Sequence, residues 1–276
     1  MADEMTDERL REIAGRLAEV PGVVAVALGG SRARGTHRPD SDIDLGLYYR
    51  GRLAVADLRE LAREMTGEPT DVTEPGGWGP WVDGGGWLTI DGLRVDWIYR
   101  DLDRVRRVWH DCRAGRYEVG VQAGHPLGFY SHAYAGEVAL CKVLADPSGE
   151  LAALRAETAE YPPALREALV QGLWEAGFSL TIAGYGAAGQ DPAYAAGALF
   201  RAIGVACHAL HAADGAWLIN EKGMVAAADR LPSAPAGFGE RAQALFASVG
   251  GTREEITRAV AAAERLVADV RAACGV

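Results

Sequence analysis

Apolar residues recur at helical spacing near the start of the chain. Leu10, Ile13, Leu17 and Val20 share one side of a helix that Thr6 can cap and that Pro21-Gly22 ends. The pattern then changes period. VVAVAL (23–28) reads as a buried strand, and residues 41–49 alternate acid and aliphatic as a second strand. DLRELAREMTG (57–67) returns to helical spacing, and WLTIDGLRVDWIYR (87–100) reads as a hairpin turning at Asp91-Gly92. Between these two lies EPGGWGPWVDGGGW (74–87), whose glycines and prolines break regular structure. Its tryptophans, Trp78, Trp81 and Trp87, either pack onto a sheet edge or contact a ligand, and packing is the simpler reading.

AGHPLGFYSH (123–132) reads as a boundary segment, with everything after it expected to be helical. Helices are expected from about residue 132, after 146–149, after Pro162-Pro163, after Asp191-Pro192 and around Asn220. The last begins at Thr252, where Glu255 completes a capping box ahead of Ile256, Val260, Ala263, Val267 and Val270. The expected fold class is α+β: a mixed-sheet domain over 1–130 and an all-α helical bundle over 131–276.

Composition narrows the classes. With 276 residues and 49% hydrophobic content, a large core is available. The longest strongly apolar stretches, such as VVAVAL, read as too short to span a bilayer, and the acidic amino terminus has no signal-peptide pattern, so the chain is expected in the cytoplasm. Cys112, Cys141, Cys207 and Cys274 form no CxxC pair, which reads as buried reduced thiols rather than a zinc site. A net charge of −10 argues against a broad nucleic-acid surface and is compatible with a cationic small molecule or with ordinary solubility.

The candidate chemistry lies in LGGSRARGTHRPDSDIDLGLYY (28–49). Gly29 and Gly30 permit close approach of backbone to a ligand, and Ser31 adds a hydroxyl where strand turns into helix. Asp42 and Asp44, spaced i and i+2 on a strand, point to one face and repel unless a cation sits between them. Asp96, flanked in LRVDWIYR by residues of the opposite face, supplies a third strand carboxylate. Paired carboxylates beside a phosphate-binding turn suit a Mg²⁺-nucleotide.

Gly30-Ser31, Asp42-x-Asp44 and the later Asp96 resemble the pattern of the nucleotidyltransferase superfamily that includes DNA polymerase beta. With a helical second half, the chain is similar to the aminoglycoside nucleotidyltransferases, especially the streptomycin and spectinomycin adenylyltransferases. NEKGMVAAADRLP (220–232) resembles their lysine-containing stretch with the alanines shifted by about a residue, which implies that Lys222 contacts nucleotide phosphates; Lys142 is the other lysine of this half. Arg34, in Ser-x-x-Arg-Gly, fits the family pattern better than Arg32 or Arg38. The resemblance implies two Mg²⁺ ions held by Asp42, Asp44 and Asp96, a nucleoside triphosphate (ATP) bound by Gly29, Gly30, Ser31, Arg34, Lys142 and Lys222, and transfer of a nucleotide to a small-molecule hydroxyl.

Either Asp96 or Glu137 is the general base on this reading, with Asp96 favoured; Glu137 and Lys142 could also form a loose ion pair. His125, in Gly-His-Pro-Leu-Gly, sits at the expected hinge with no assigned role. The acceptor is expected to be a small molecule such as an aminoglycoside, in a monomer or homodimer. A protein or RNA acceptor and a catalytically silent nucleotide-binding protein are the alternatives.

Overall fold

A computed structural model describes residues 5–276; the first four residues of the acidic amino terminus lie outside the described residues. The chain forms two compact units, each described by itself. The first comprises residues up to His110, Glu118–Gly124 and Gly128–Glu160; the second comprises Asp111–Tyr117, His125–Leu127 and Tyr161–Val276.

The first unit is built on a five-stranded mixed sheet. Helix α1 (Asp7–Ala18) is capped by Thr6, whose side chain accepts the Arg9 N–H at 3.2 Å. Strand β1 (Val23–Leu28) and a four-residue helical turn, α2 (Gly30–Ala33), follow. Next come β2 (Ile43–Tyr49) and helix α3 (Val55–Thr66), which stops at Gly67 in the left-handed conformation. Strands β3 (Gly85–Ile90) and β4 (Leu93–Asp101) form the expected hairpin, with positive φ at Asp91 and Gly92. Helix α4 (Leu102–Arg113), a two-stranded ribbon of β5 (Val119–Gln122) and β6 (His125–Tyr130), helix α5 (Ala133–Leu140), strand β7 (Lys142–Ala145) and helix α6 (Glu150–Thr158) complete the element order to Glu160.

Strand order in the sheet is β3-β4-β2-β1-β7. Strands β2 and β4 are parallel, whereas β1 is antiparallel to both β2 and β7. One face carries Val26, Leu28, Ile43, Leu45, Leu47, Leu88, Ile90, Val95, Trp97 and Tyr99, which pack with Leu10, Ile13 and Leu17 of α1 and Leu58, Leu61 and Ala62 of α3. Those two amphipathic helices make this face the core. The residues between, including Asp44 and Asp96, stand on the opposite face.

The second unit is helical: α7 (Pro163–Gln171), α8 (Leu173–Gly189), α9 (Pro192–Ala213), α10 (Met224–Ala228), α11 (Phe238–Ala247) and α12 (Arg253–Cys274). Helix α9 is central and packs against α7, α8, α10 and α12. Its start is set by Asp191, whose side chain accepts the Tyr194 N–H at 3.0 Å ahead of Pro192. The capping box at α12 is complete, Thr252 Oγ1 accepting the Glu255 N–H and Glu255 Oε2 accepting the Thr252 N–H. By length and composition α9 is apolar enough to cross a membrane, but 61% of that window is buried in the bundle, as befits a core helix.

The α+β class stands as expected, with local corrections. The segment expected to be helical throughout contains a strand, because β7 returns to pair with β1 and closes one side of the sheet. The first unit therefore continues to Glu160, past the boundary expected at 130. The boundary segment itself is largely strand β6.

Leu45, fully buried between the strand neighbours and the two helices, holds this arrangement. Leu45→Ala is expected to lower unfolding free energy by about 2–5 kcal/mol, read as a drop in the midpoint of denaturant unfolding.

Candidate functional site

The site grows from the carboxyl end of β1 and the start of β2. Gly29 donates its N–H to the Asp44 carbonyl at 2.8 Å, which carries the sheet pairing one residue past β1. Gly30 has φ +60°, and a Cβ there would run into the Asp44 carboxylate. Glycine is thus required for two reasons, conformation and close approach, and the turn lies directly against Asp44. Ser31 follows in α2. Arg34 Nε donates to the Gly30 carbonyl at 3.1 Å, so this guanidinium braces the turn.

The parallel register of β2 and β4 sets Asp44 opposite Asp96 on the same face. Neighbouring strands lie about 4.8 Å apart, so the two carboxylates are side by side. Burial, then the negative charges of Asp44 and Asp42, push the Asp96 carboxyl up from 3.8 to about 6, against a lowering by Arg94. Asp42 lies just before β2 and is handled differently. Its carboxylate pairs with Arg94, which also donates to the Asp40 carbonyl at 2.7 Å. Arg32 reaches the Ser41 carbonyl at 3.0 Å, so two guanidiniums fix the segment leading into β2.

Among the described residues, no three His, Cys, Asp or Glu side chains form a ready enclosure for a metal ion. The Asp44–Asp96 pair nevertheless fits Mg²⁺, which commonly takes one or two carboxylates and completes its sphere with substrate phosphates and water. Asp42, turned to Arg94, is less available than the expected set of three assumed.

Glu137 and Lys142 are separated in role. Glu137, in α5, makes a bidentate pair with Arg100, at 2.6 Å and 2.7 Å, and Arg100 is buried on β4. Its partner is therefore Arg100 rather than Lys142, the loose ion pair that the sequence left open. Lys142 is on β7, not on a helix, opposite Leu28 and one residue from the glycine turn. It is exposed. Lys222 belongs to the second unit, where it is exposed and its backbone N–H donates to Asn220 Oδ1 at 2.6 Å. His125 also falls in the second unit: its Nδ1 lies 3.0 Å from Glu221 Oε2, while Glu221 Oε1 accepts the Leu127 N–H at 3.4 Å. The pair ties the turn that precedes Lys222 to β6.

Sequence reasoning did not anticipate the Arg94 clamp on Asp42 or the placement of Trp87 opposite Asp96. The second was accessible from the two-residue hairpin turn, since fixing Asp91-Gly92 fixes every partner across β3 and β4, whereas the first depends on the parallel pairing of β2 with β4.

Residues 8–76 match the family described as nucleotidyltransferase domain, a span holding β1, the glycine turn, Asp42 and Asp44. No curated protein matches the chain. Among solved structures it is similar to a nucleotidyltransferase-like protein from Exiguobacterium sibiricum, at 12% identity and a TM-score of 0.46, over 95% of this chain and 74% of that one.

Two measurements follow from the geometry. Because folding raises the Asp96 pKa, its ionisation favours the unfolded chain, so the associated stability is full below 3.8 and is lost as pH rises to about 6. In metal-free buffer, the melting temperature of Asp96→Asn relative to the parent is expected to climb over that interval and level off above it; a flat difference would refute the shift. Glu137→Gln leaves Arg100 without a carboxylate and should cost about 2 kcal/mol, less than the roughly 3–5 of a fully buried pair, because Glu137 is partly exposed. Nucleotidyl transfer per folded molecule should survive, whereas loss of turnover without loss of stability would make Glu137 the base.

Proposed function

We propose that this nucleotidyltransferase moves AMP from ATP to a hydroxyl of a small molecule of the aminoglycoside class, in the cytoplasm and with Mg²⁺. The observation that carries the reading is the single row formed by Gly29, Asp44 and Asp96, which sets a close-approach turn for phosphates beside two carboxylates. The four cysteines, all free of disulfides, support a reducing compartment.

In this reading the Gly29-Gly30 backbone and the Ser31 hydroxyl receive the β- and γ-phosphates, with Lys142 at the neighbouring strand edge adding positive charge. Arg34 keeps the turn in shape by holding the Gly30 carbonyl. Asp44 and Asp96 would hold Mg²⁺ with phosphate oxygens, and the ion supplies charge neutralisation for the reacting phosphate and the departing pyrophosphate.

Asp96 has a second task. Standing in the same row as Asp44, its carboxylate takes the acceptor's hydroxyl proton. The hydroxyl oxygen forms a bond to the α-phosphorus as the bond from that phosphorus to the bridging oxygen of the β-phosphate breaks. Pyrophosphate leaves with that oxygen, and the acceptor carries AMP. Asp42, paired with Arg94, contributes chiefly by setting the entry of β2.

The test is pyrophosphate release from each NTP with Mg²⁺, with and without aminoglycosides, spectinomycin and lincosamides, against Asp44→Asn. Release stimulated by one acceptor and lowered about a hundredfold or more in the variant is expected. Equal release by Asp44→Asn would overturn the assignment. Release that no drug stimulates would move the acceptor to a protein, an RNA or another metabolite.

A further inference from the structure

The row of residues that crosses the sheet does not end at Asp96. On its other side the antiparallel register of β3 and β4 sets Trp87 directly opposite Asp96. The order across four strands is thus Gly29, Asp44, Asp96 and Trp87. Trp87 is 68% exposed, although an indole is among the side chains that gain most from burial. It is not loose: its ring stacks on Trp78, with centroids 4.5 Å apart and planes at 16°.

The loop that delivers Trp78 is built to hold it. Gln122, itself buried, accepts the N–H groups of Trp81 and Val82 with Oε1 at 2.9 Å and 3.0 Å. Its Nε2 donates to the Trp78 carbonyl at 2.8 Å. At Gly85, with φ +154°, a Cβ would press on the Trp78 ring at 3.0 Å. In the same loop Trp81 is used as packing, stacked on Phe129 at 5.7 Å with the Arg104 guanidinium over its ring. One tryptophan of the segment thus anchors the loop, while the other two form a fixed stack in which half-buried Trp78 supports an exposed Trp87 beside a carboxylate. A rigid aromatic surface loses little entropy when something settles on it.

We propose that the Trp78–Trp87 stack is the acceptor platform: it binds a cationic, hydroxyl-bearing ring whose apolar face lies on Trp87 and whose hydroxyl reaches Asp96. The inference rests on the nucleotidyl-transfer reading for the identity of the ligand as acceptor, and on the register alone for the platform. Phosphates are assigned to the Gly29 end of the row, so the opposite end is left to the second substrate. The indole face attracts cations, and Arg94, the guanidinium next to Asp96, does not oppose this because it is engaged by Asp42. A ring with C–H groups on its face and ammonium or guanidinium groups on its rim fits such a face.

The experiment compares the parent with Trp87→Ala and Trp87→Phe, using streptomycin, spectinomycin and kanamycin as probes. Steady-state transfer gives KM for probe and for ATP, and saturation-transfer NMR reads probe binding without turnover. Because Trp87 is exposed, both variants should melt with the parent. Trp87→Ala is expected to raise the probe KM about tenfold with the ATP KM unchanged, and Trp87→Phe to recover most of it. A probe KM within about twofold of the parent in Trp87→Ala, or the absence of any Trp87-dependent probe binding, overturns the platform. Probe binding that depends on Trp87 in a protein that transfers no nucleotide would keep the platform and sink the transfer reading.

Discussion

The parallel pairing of β2 with β4 is the constraint on which the first unit depends. It aligns Ile43 with Val95, Leu45 with Trp97 and Leu47 with Tyr99, all of them buried against α1 and α3. The same pairing aligns Asp44 with Asp96 on the other face. A slip of one residue would send the carboxylates into the hydrocarbon core and the aliphatics to solvent, so burial fixes the register far more firmly than the carboxylates oppose it. The energy that holds two like charges together comes from the opposite side of the sheet. The elevated Asp96 pKa is the local sign of that imposed proximity.

Further along the same face the sheet handles charge in a second way. Arg100 stands opposite Tyr48, two pairs beyond the Asp44–Asp96 row, and there a bidentate carboxylate from α5 meets it while Tyr134 lies under the guanidinium at 5.4 Å. One face therefore holds both an internally neutral pair and, nearer the glycine turn, the paired carboxylates of Asp44 and Asp96. The neutral pair anchors α5 over the sheet.

Much of this was legible in the sequence because period and punctuation agreed. The stripe ending at Pro21-Gly22, the alternation from Ser41 to Tyr49, the Asp91-Gly92 turn and the Thr252–Glu255 box each gave an element its limits. Asp44 and Asp96 were conspicuous because strands disfavour aspartate, and Asp42 by its spacing from Asp44. Strand β7 escaped because AGEVALCKVLA has no glycine or proline between its helical and extended parts; Cys141 ends α5 only in the context of the waiting edge of β1. The Arg100–Glu137 pair escaped because its members are far apart in sequence and only the docking of α5 joins them. Proline and glycine around His125 suggested a break, yet a two-stranded ribbon tolerates them at an edge. Local signals fix local structure, and these features are set by contacts distant in the chain.

The late arrival of β7 bears on how the protein is made. Strand β1 leaves the ribosome well before the neighbour that covers one of its edges, which is not translated until α5 has been passed. For a time on the order of ten seconds at ordinary elongation rates, an apolar strand presents an unpaired edge to solvent. Nascent chains stalled before residue 145 should thus be the species most in need of chaperones, and the sheet becomes topologically complete only when β7 has been made.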